Sequence, residues 1–248
     1  QDMVLTRDLK NKGNVNVIYS RASNFKTKTD LISTLGIIES GNAAMVHPDG
    51  QIYYTAYKTQ DIYRYDFETK ETTISGKHVK ANENLRFVLH PSGKYAYMTR
   101  LYYSGNNSGY IARLDYNEEA DMFSAPYIVA GSDKSAGYAD GVGGSAQMKG
   151  PGQGVFVKNP EYAGEEDEYD FYFTDDYNHC VRVLTPTGRV YTFAGRGNGS
   201  ADGGYADGSL RGEARFNRPW AIAYDEKRNC FYVGERNNKV IRKIALEE

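Results

Sequence analysis

The sequence predicts an all-β fold, a β-propeller of four-stranded antiparallel blades, from three observations. Residues 171–184 and 231–244 repeat one pattern, a hydrophobic run, a polar turn and a second hydrophobic run. The pattern Ala-x-Met-x-x-Pro that begins at Ala146 recurs as Ala-x-Phe-x-x-Pro at Ala214, 68 residues later. No long stretch shows the 3.6-residue period of an amphipathic helix. A unit that restarts after several tens of residues is typical of a propeller or solenoid.

The strand pattern divides the chain into successive units, at about residues 1–40, 41–81, 82–131, 150–195 and 216–248. Each predicted fourth strand ends in a glycine, at Gly36, Gly76, Gly131 and Gly195. Four short antiparallel strands in about 40 to 50 residues are typical of a propeller blade, whereas β-helix coils repeat at far shorter spacing. The first and last units have only three predicted strands. We therefore expect one propeller domain over residues 1–248, with about five blades present and six in the complete protein.

Composition narrows the classes of function. The chain has 30 Lys and Arg against 32 Asp and Glu, so its overall charge gives no reason to expect nucleic acid as a partner. Tyrosine (22) and glycine (26) are frequent, which suits short strands joined by tight turns. Cys180 and Cys230 lie at predicted strand edges, and we expect both to be free. No transmembrane run or signal peptide is visible, and the start at Gln1 predicts a removed signal or a preceding domain upstream.

The two matching segments resemble the NHL repeat, in which a strand and an acidic residue precede a short turn, Asn-His and a second strand. The motif positions are occupied by Asp175, Asn178, His179 and Val181 in one segment and by Glu235, Asn238, Lys239 and Ile241 in the other. The preceding loops share GYADG at 137–141 and 204–208, and resemble secreted Bacteroidetes-type NHL proteins. The resemblance implies a six-bladed propeller, often preceded by an immunoglobulin-like (IPT/TIG) domain. It implies little about activity, since NHL propellers include binding scaffolds for protein, RNA and glycan, lyases and lactonase-like relatives.

The four histidines do not form a metal-site pattern. His47 and His90 stand in His-Pro-Asp-Gly and His-Pro-Ser-Gly, which are turn sequences at equivalent places of two units. His78 stands alone in a polar loop, and His179 belongs to the repeat motif. A catalytic zinc site needs three protein ligands, so we predict no metal site and no catalytic residues.

The acidic residues have a structural explanation that is stronger than a catalytic one. Asp175 and Asp176 could act as a carboxylate pair, but an Asp before a short turn commonly accepts backbone N–H bonds. Three Ala-Asp-Gly triplets, at 139–141, 201–203 and 206–208, raise the possibility of calcium. They lack the spacing of a calcium loop, and Asp-Gly is a common turn sequence. We expect no cofactor, with calcium as the weaker alternative.

The longest insertions, at 100–110, 131–150 and 195–218, are predicted to emerge on one face with the turns between second and third strands. This face and the nearby strand ends carry our candidate ligand-binding residues: Arg100, Tyr102, Tyr103, Tyr138, Asp176, Tyr205, Trp220 and Arg236. Exposed aromatic rings with a few charged groups suit sugar rings or peptides. The alternative is that the tyrosines only fix their own loops. RNA would require a more basic surface.

These observations favour a secreted or cell-surface binding module that presents its loop-rich face to a glycan or a protein. An extracellular, cell-surface or periplasmic location follows from that hypothesis. The alternative is a metal-dependent lyase or lactonase-type hydrolase acting at the channel mouth. A purely structural interaction domain is a third possibility.

Overall fold

The protein folds into antiparallel sheets that follow one another along the chain. The computed structural model describes residues 4–7, 15–19, 41–56, 61–67, 69, 71–76, 85–100 and 108–245. The strands are β1 (Val4–Arg7), β2 (Val15–Tyr19), β3 (Gly41–Val46), β4 (Ile52–Ala56), β5 (Ile62–Tyr65), β6 (Thr72–Gly76), β7 (Leu85–Leu89), β8 (Tyr95–Arg100), β9 (Gly109–Asn117), β10 (Met122–Phe123), β11 (Tyr127–Ser132), β12 (Gly141–Val142), β13 (Pro151–Lys158), β14 (Tyr169–Asp175), β15 (Cys180–Leu184), β16 (Arg189–Gly195), β17 (Pro219–Asp225), β18 (Cys230–Glu235) and β19 (Val240–Ile244). Single 3-10 turns occupy Gly143–Ser145, Pro160–Tyr162, Asp176–Asn178 and Gly197–Gly199.

Successive strands pair with each other within each sheet. The described strands form five sheets: β1–β2, β3–β6, β7–β11, β12–β16 and β17–β19. In the third sheet β9 pairs with both β10 and β11, and in the fourth the short β12 adds to the outer edge of β16. The first strands β3, β7, β13 and β17 of consecutive sheets lie side by side, so they line a central axis. The prediction of a β-propeller with several four-stranded antiparallel blades is confirmed.

Hydrophobic cores lie between neighbouring sheets rather than inside one of them. Tyr53 and Met98 belong to a core between the β3–β6 and β7–β11 sheets. Ile111 and Phe171 belong to the next core, and Val181 packs with the β17–β19 sheet in the last one. The four sheets from β3 to β19 therefore bury apolar faces against one another, as radial stacking of blades requires.

The His-Pro-x-Gly sequences form the turns that the sequence predicts. The amide of Gly50 donates to the carbonyl of His47 at 2.9 Å, and Gly93 donates to His90 at 2.9 Å. Gly93 has a φ of +77°, and a Cβ there would lie 2.6 Å from Nε2 of His47. His47 Nε2 is 3.0 Å from the carbonyl oxygen of Gly93, so this histidine links two consecutive sheets. The structural interpretation of His47 and His90 is confirmed.

The long connections between sheets fold back over the sheet that follows them. Isolated bridges pair Ala139 with Gln147 in the first of these loops and Ala206 with Arg215 in the second. Each loop ends by inserting one apolar side chain, fully buried Met148 or nearly buried Phe216, between two sheets. The repeated Ala-x-Met/Phe-x-x-Pro pattern is therefore a core-packing signature.

Several expectations lie beyond what the structure describes or tests. His78 and the predicted strand that ends at Gly36 are outside the described residues, and the unit boundaries and the count of six blades remain predictions. Cys180 and Cys230 are both buried and free, as expected. Within the described part of the chain, no helix has the length and apolar character needed to span a bilayer.

Candidate functional site

The predicted loop face is built around a buried arginine, Arg182, in the middle of β15. Its side chain is fully buried, and one terminal nitrogen lies 3.3 Å from a carboxylate oxygen of Asp175, which is also fully buried. The other donates to the carbonyl of Ala139 at 2.7 Å and to the carboxylate of Asp140 at 2.8 Å. Burial opposes the charge of Arg182, but the neighbouring carboxylates outweigh it and raise its pKa. The arginine therefore ties the 131–150 loop to the β14–β15 turn.

A second arginine, Arg242, repeats these contacts 60 residues later. It donates to the carboxylate of Glu235 at 2.9 Å, to the carbonyl of Ala206 at 2.7 Å and to the carboxylate of Asp207. Asn238 donates to the same glutamate at 2.7 Å, as Asn178 donates to Asp175 at 2.8 Å. The 131–150 and 195–218 insertions thus lie on one face with the β14–β15 and β18–β19 turns, as predicted, whereas most of the 100–110 insertion lies outside the described residues. We call this face the loop face.

The same contacts explain the acidic residues of the sequence motifs. Asp175 accepts the amide of Lys149 at 2.9 Å, and Glu235 accepts the amide of Asn217 at 2.6 Å. Asp140 belongs to one Ala-Asp-Gly triplet and is an arginine partner rather than one of a group of carboxylates. Among the described residues, no three His, Cys, Asp or Glu side chains cluster in a way that could hold a metal ion. The motif acids have a structural role in both repeats.

Asp176, one of the candidate ligand-binding residues, is covered by the next loop. Its carboxylate is almost fully buried and receives two hydrogen bonds from Arg218, at 2.5 and 2.8 Å. The Arg218 guanidinium also lies 3.5 Å from the ring centroid of Tyr177. The amide of Arg218 donates to Nδ1 of His179 at 3.1 Å, which requires that nitrogen to be unprotonated. Asp176 therefore links two sheets, and we leave it out of the binding surface.

The two loop tyrosines differ in exposure. The hydroxyl of Tyr138 is 2.7 Å from that of Thr192, and the Arg196 guanidinium lies 3.7 Å from its ring centroid. Tyr138 is half-buried and fixes its own loop, which was the alternative explanation for these side chains. Tyr205 is 64 % exposed, with Arg242 on one side of its ring. Only the second tyrosine presents a free ring to solvent.

Trp220 and Arg236 lie together where β17 begins. The Arg236 guanidinium carbon is 5.2 Å from the centroid of the Trp220 ring, and Arg86 approaches the same ring at 5.8 Å. Arg86 is on β7, the first strand of a sheet two sheets earlier, so this contact crosses the central axis. Both distances are within the range of a cation–π interaction. We call Arg86, Trp220 and Arg236 the channel mouth.

A groove of about 520 Å³ adjoins Trp220 and Arg236. Its other end includes Ile241, which is 76 % exposed. The equivalent residue in the preceding sheet, Val181, is fully buried against the β17–β19 sheet. The Ile241 end therefore has the character of a sheet-packing surface. The Trp220 end, which carries the charged groups, is the candidate ligand site.

A second depression, of about 610 Å³, lies on the opposite face. The hydroxyl of Tyr95 donates to Asp167 at 2.6 Å, and Nε of Arg113 donates to Asp115 at 2.6 Å. His90 stacks on Tyr95 and lies 3.3 Å from Asp167, and its burial lowers its pKa, an effect that Asp167 opposes. The ionic groups at the centre of this depression are therefore bound to each other.

Three candidate residues cannot be placed in this geometry. Tyr102 and Tyr103 lie outside the described residues, and Arg100 ends β8 with a side chain that is also outside them. Sequence reasoning missed Arg86, Arg182 and Arg218. Arg182 had a signal, because it interrupts an apolar strand between two valines, as Arg242 interrupts β19. No local sequence pattern marks Arg86, since only the arrangement of the sheets around the central axis brings it close to Trp220.

No protein-family model matches the chain. The structure is similar to an auxiliary nutrient binding protein from Bacteroides thetaiotaomicron VPI-5482, with 45% sequence identity and a TM-score of 0.81, over 95% of this chain and 53% of that chain. A protein of the same description from Bacteroides ovatus ATCC 8483 is 46% identical with a TM-score of 0.80, over 94% of this chain and 53% of that one. A candidate phosphatase from Bacteroides thetaiotaomicron VPI-5482 is 32% identical with a TM-score of 0.77, over 99% and 54%.

In sequence, the chain is 32% identical over 112 residues to NHL repeat-containing protein 2 of Bos taurus, which is 45% of this chain and 14% of that protein. Together with the solved structures, this similarity supports an NHL-like β-propeller fold. The chain spans about half the length of the Bacteroides structures that it matches.

Proposed function

We propose that this chain is a binding propeller for a carbohydrate nutrient, which it takes up at the channel mouth of the loop face. The observation that carries the proposal is the half-buried Trp220 ring with Arg86 and Arg236 beside it. The nutrient-binding description of two similar Bacteroides proteins supports it. An extracellular, cell-surface or periplasmic location belongs to the same proposal, as does an upstream immunoglobulin-like domain.

The chemistry of the channel mouth suits a sugar. A flat aromatic ring offers apolar area to the C–H face of a pyranose at a low cost in conformational entropy. Guanidinium groups each carry five N–H donors and accept no hydrogen bond, so they suit ligands rich in oxygen acceptors. Such a site combines apolar contact with a few orienting polar groups, as small-ligand sites usually do.

The lyase or hydrolase alternative has less support from the described residues. An acid–base mechanism would need free carboxylates or histidines at the mouth. The acids of the adjoining strand ends are instead bound to arginines: Asp175 to Arg182, Asp176 to Arg218 and Glu235 to Arg242.

Trp220 is the only tryptophan of the chain, so its fluorescence reports directly on this site. We expect soluble oligosaccharides that bind to shift or quench its emission. Calorimetric titration should show at least about a tenfold weaker affinity for Trp220→Ala, because stacking on the ring is worth about 1.4 kcal/mol or more. Tyr127→Ala, at a 46 % exposed ring on the outer strand β11, is the matched control and should bind normally. Unchanged affinity in Trp220→Ala would refute the proposal. If the site instead binds a partner protein in a way that depends on Trp220, that protein would replace the sugar as the proposed ligand.

A further inference from the structure

We infer that the ligand at the channel mouth is an anionic sugar, one that carries carboxylate or sulfate groups. This inference rests on the proposed function and specifies the chemistry of its ligand. It comes from the charges around Trp220, which differ from the charge of the chain as a whole.

The groove beside Trp220 is locally cationic. Arg236 and Lys239 are exposed along it, and Arg86 adds a third positive group at the channel mouth. Glu235 also borders the groove, but it is almost fully buried. One carboxylate oxygen of Glu235 accepts a hydrogen bond from Arg242, and the other accepts from the amide of Asn217 and the side chain of Asn238. The negative charge of Glu235 is therefore compensated by groups of the protein itself.

Six arginines elsewhere in the described structure hold carboxylates of the protein itself, and four others make no such pair among the described residues. Arg113 pairs with Asp115, Arg218 with Asp176 and Arg228 with Asp225. Arg86 and Arg236 make no such pair among the described residues, although the chain has a net charge of -2 and acids are plentiful. Two unpaired guanidinium groups at one aromatic ring leave room for an acid from the ligand.

The repeat indicates that folding does not require this arrangement. Arg236 occupies the place of Asp176 in the preceding repeat, and Trp220 occupies the place of Gly152. The backbone contacts are the same, since the amide of Asp176 donates to the carbonyl of Gly150 at 3.0 Å and the amide of Arg236 donates to the carbonyl of Arg218 at 2.9 Å. The charge is thus reversed and an aromatic ring is added on an unchanged backbone.

A sugar that stacks on Trp220 would place its ring substituents beside the two guanidinium groups. Arginine binds carboxylate and sulfate oxygens in planar, two-pronged hydrogen bonds, which are stronger than bonds to neutral hydroxyls. A neutral sugar would leave Arg86 and Arg236 without a charged partner. The site therefore discriminates by charge as well as by shape.

The test compares trigalacturonate with its methyl ester, which has the same size and no charge, using Trp220 fluorescence and calorimetry on the whole chain. A sulfated galactose trisaccharide separates sulfate from carboxylate as the preferred group. We expect an anionic trisaccharide to bind at least tenfold more tightly than the ester, with a preference that shrinks as salt is raised. Arg236→Ala and Arg86→Ala should each remove most of this preference and change ester binding less than about twofold. Arg228→Ala, at an exposed pair on the opposite face, is the control.

The outcomes separate the two claims. Tight binding of either anionic sugar, lost in Arg236→Ala and kept in Arg228→Ala, supports the inference. Equal binding of acid and ester that still depends on Trp220 overturns the anionic ligand and leaves the sugar-binding function standing. Binding that is indifferent to Trp220→Ala, or no binding of any of the three sugars, overturns both.

Discussion

Arg182 and Arg242 hold the same set of groups in two consecutive copies of one loop-and-sheet unit, residues 137–195 and 204–244. In each copy an acid and two loop positions accept hydrogen bonds from the buried arginine, and an asparagine donates to the same acid. The copies differ at their mouth positions, where Gly152 and Asp176 of the first become Trp220 and Arg236 of the second. The repeated residues hold the loop to its sheet, and the substituted ones are those to which we assign the proposed binding.

The buried arginines should give the largest effect if the repeated positions carry stability. Arg182→Ala leaves the fully buried carboxylate of Asp175 without its cation, so we expect a loss of about 3–5 kcal/mol in the free energy of unfolding. Arg242→Ala should cost less, because Arg242 is 9 % exposed and water can reach its partner Asp207. Urea denaturation of both variants tests this order. Equal losses would mean that the two copies are equally closed to solvent.

Substitutions at position 176 should lower the free energy of unfolding, whereas a substitution at the equivalent position 236 should leave it nearly unchanged. Asp176→Ala leaves Arg218 without its acid, and Arg218→Ala leaves Asp176 buried and unpaired, so each should cost about 2 kcal/mol. A double-mutant cycle should show a coupling of about 1 kcal/mol or more, because the two side chains contact each other directly. Arg236→Ala should change the free energy of unfolding by less than about 0.5 kcal/mol, as at an ordinary surface position. A large loss in Arg236→Ala would contradict this difference between the two positions.

Position 179 should add a pH dependence that its equivalent, Lys239, does not share. Burial and the nearby Arg218 lower the pKa of His179, so the folded protein resists a proton that the unfolded chain accepts near pH 6.5. The free energy of unfolding should therefore fall as the pH drops from about 7 to 5. His179→Asn stays neutral and tolerates the left-handed backbone there (φ 56°), so its stability should vary less over this range. His90 contributes in the same direction to both proteins and cancels in the difference. Parallel curves would exclude a role for His179.

The Asp of the Ala-Asp-Gly triplets should give the smallest effect. Asp207 is 80 % exposed and Asp140 is 38 % exposed, so Asp207→Asn should cost less than about 0.5 kcal/mol and Asp140→Asn about 1 kcal/mol. The melting temperature should be the same in calcium and in EDTA, because both carboxylates already bind arginine. A calcium-dependent rise in melting temperature that either variant removes would restore the metal hypothesis.

The fold was accessible from sequence because its signals are local and repeated. Short strands ending in glycine, and the fixed spacing of the Ala-x-Met/Phe-x-x-Pro pattern, both follow from packing that recurs in each copy. The loop face followed from strand order alone. Trp220 and Arg236 were identified as candidates from the same reasoning.

The rest of the candidate site depends on contacts between distant segments. Asp176 looked available because nothing in its own segment indicates that Arg218, from the following loop, covers it. Arg86 lies in a copy whose repeat pattern is weak, and it meets Trp220 across the axis. Tyr102 and Tyr103 remain predictions, since they lie outside the described residues.

The arginine network also fixes what can be exchanged between propellers of this kind. Arg182 finds all its partners between residues 137 and 182, in the loop before its sheet and in the sheet itself. The unit that contains every partner of the buried arginine is therefore a loop joined to the sheet that follows it, rather than a sheet alone. A gene segment cut at these loop starts would carry the buried arginine with all its partners, while the buried Asp176 would still need an arginine at position 218 of the loop that follows.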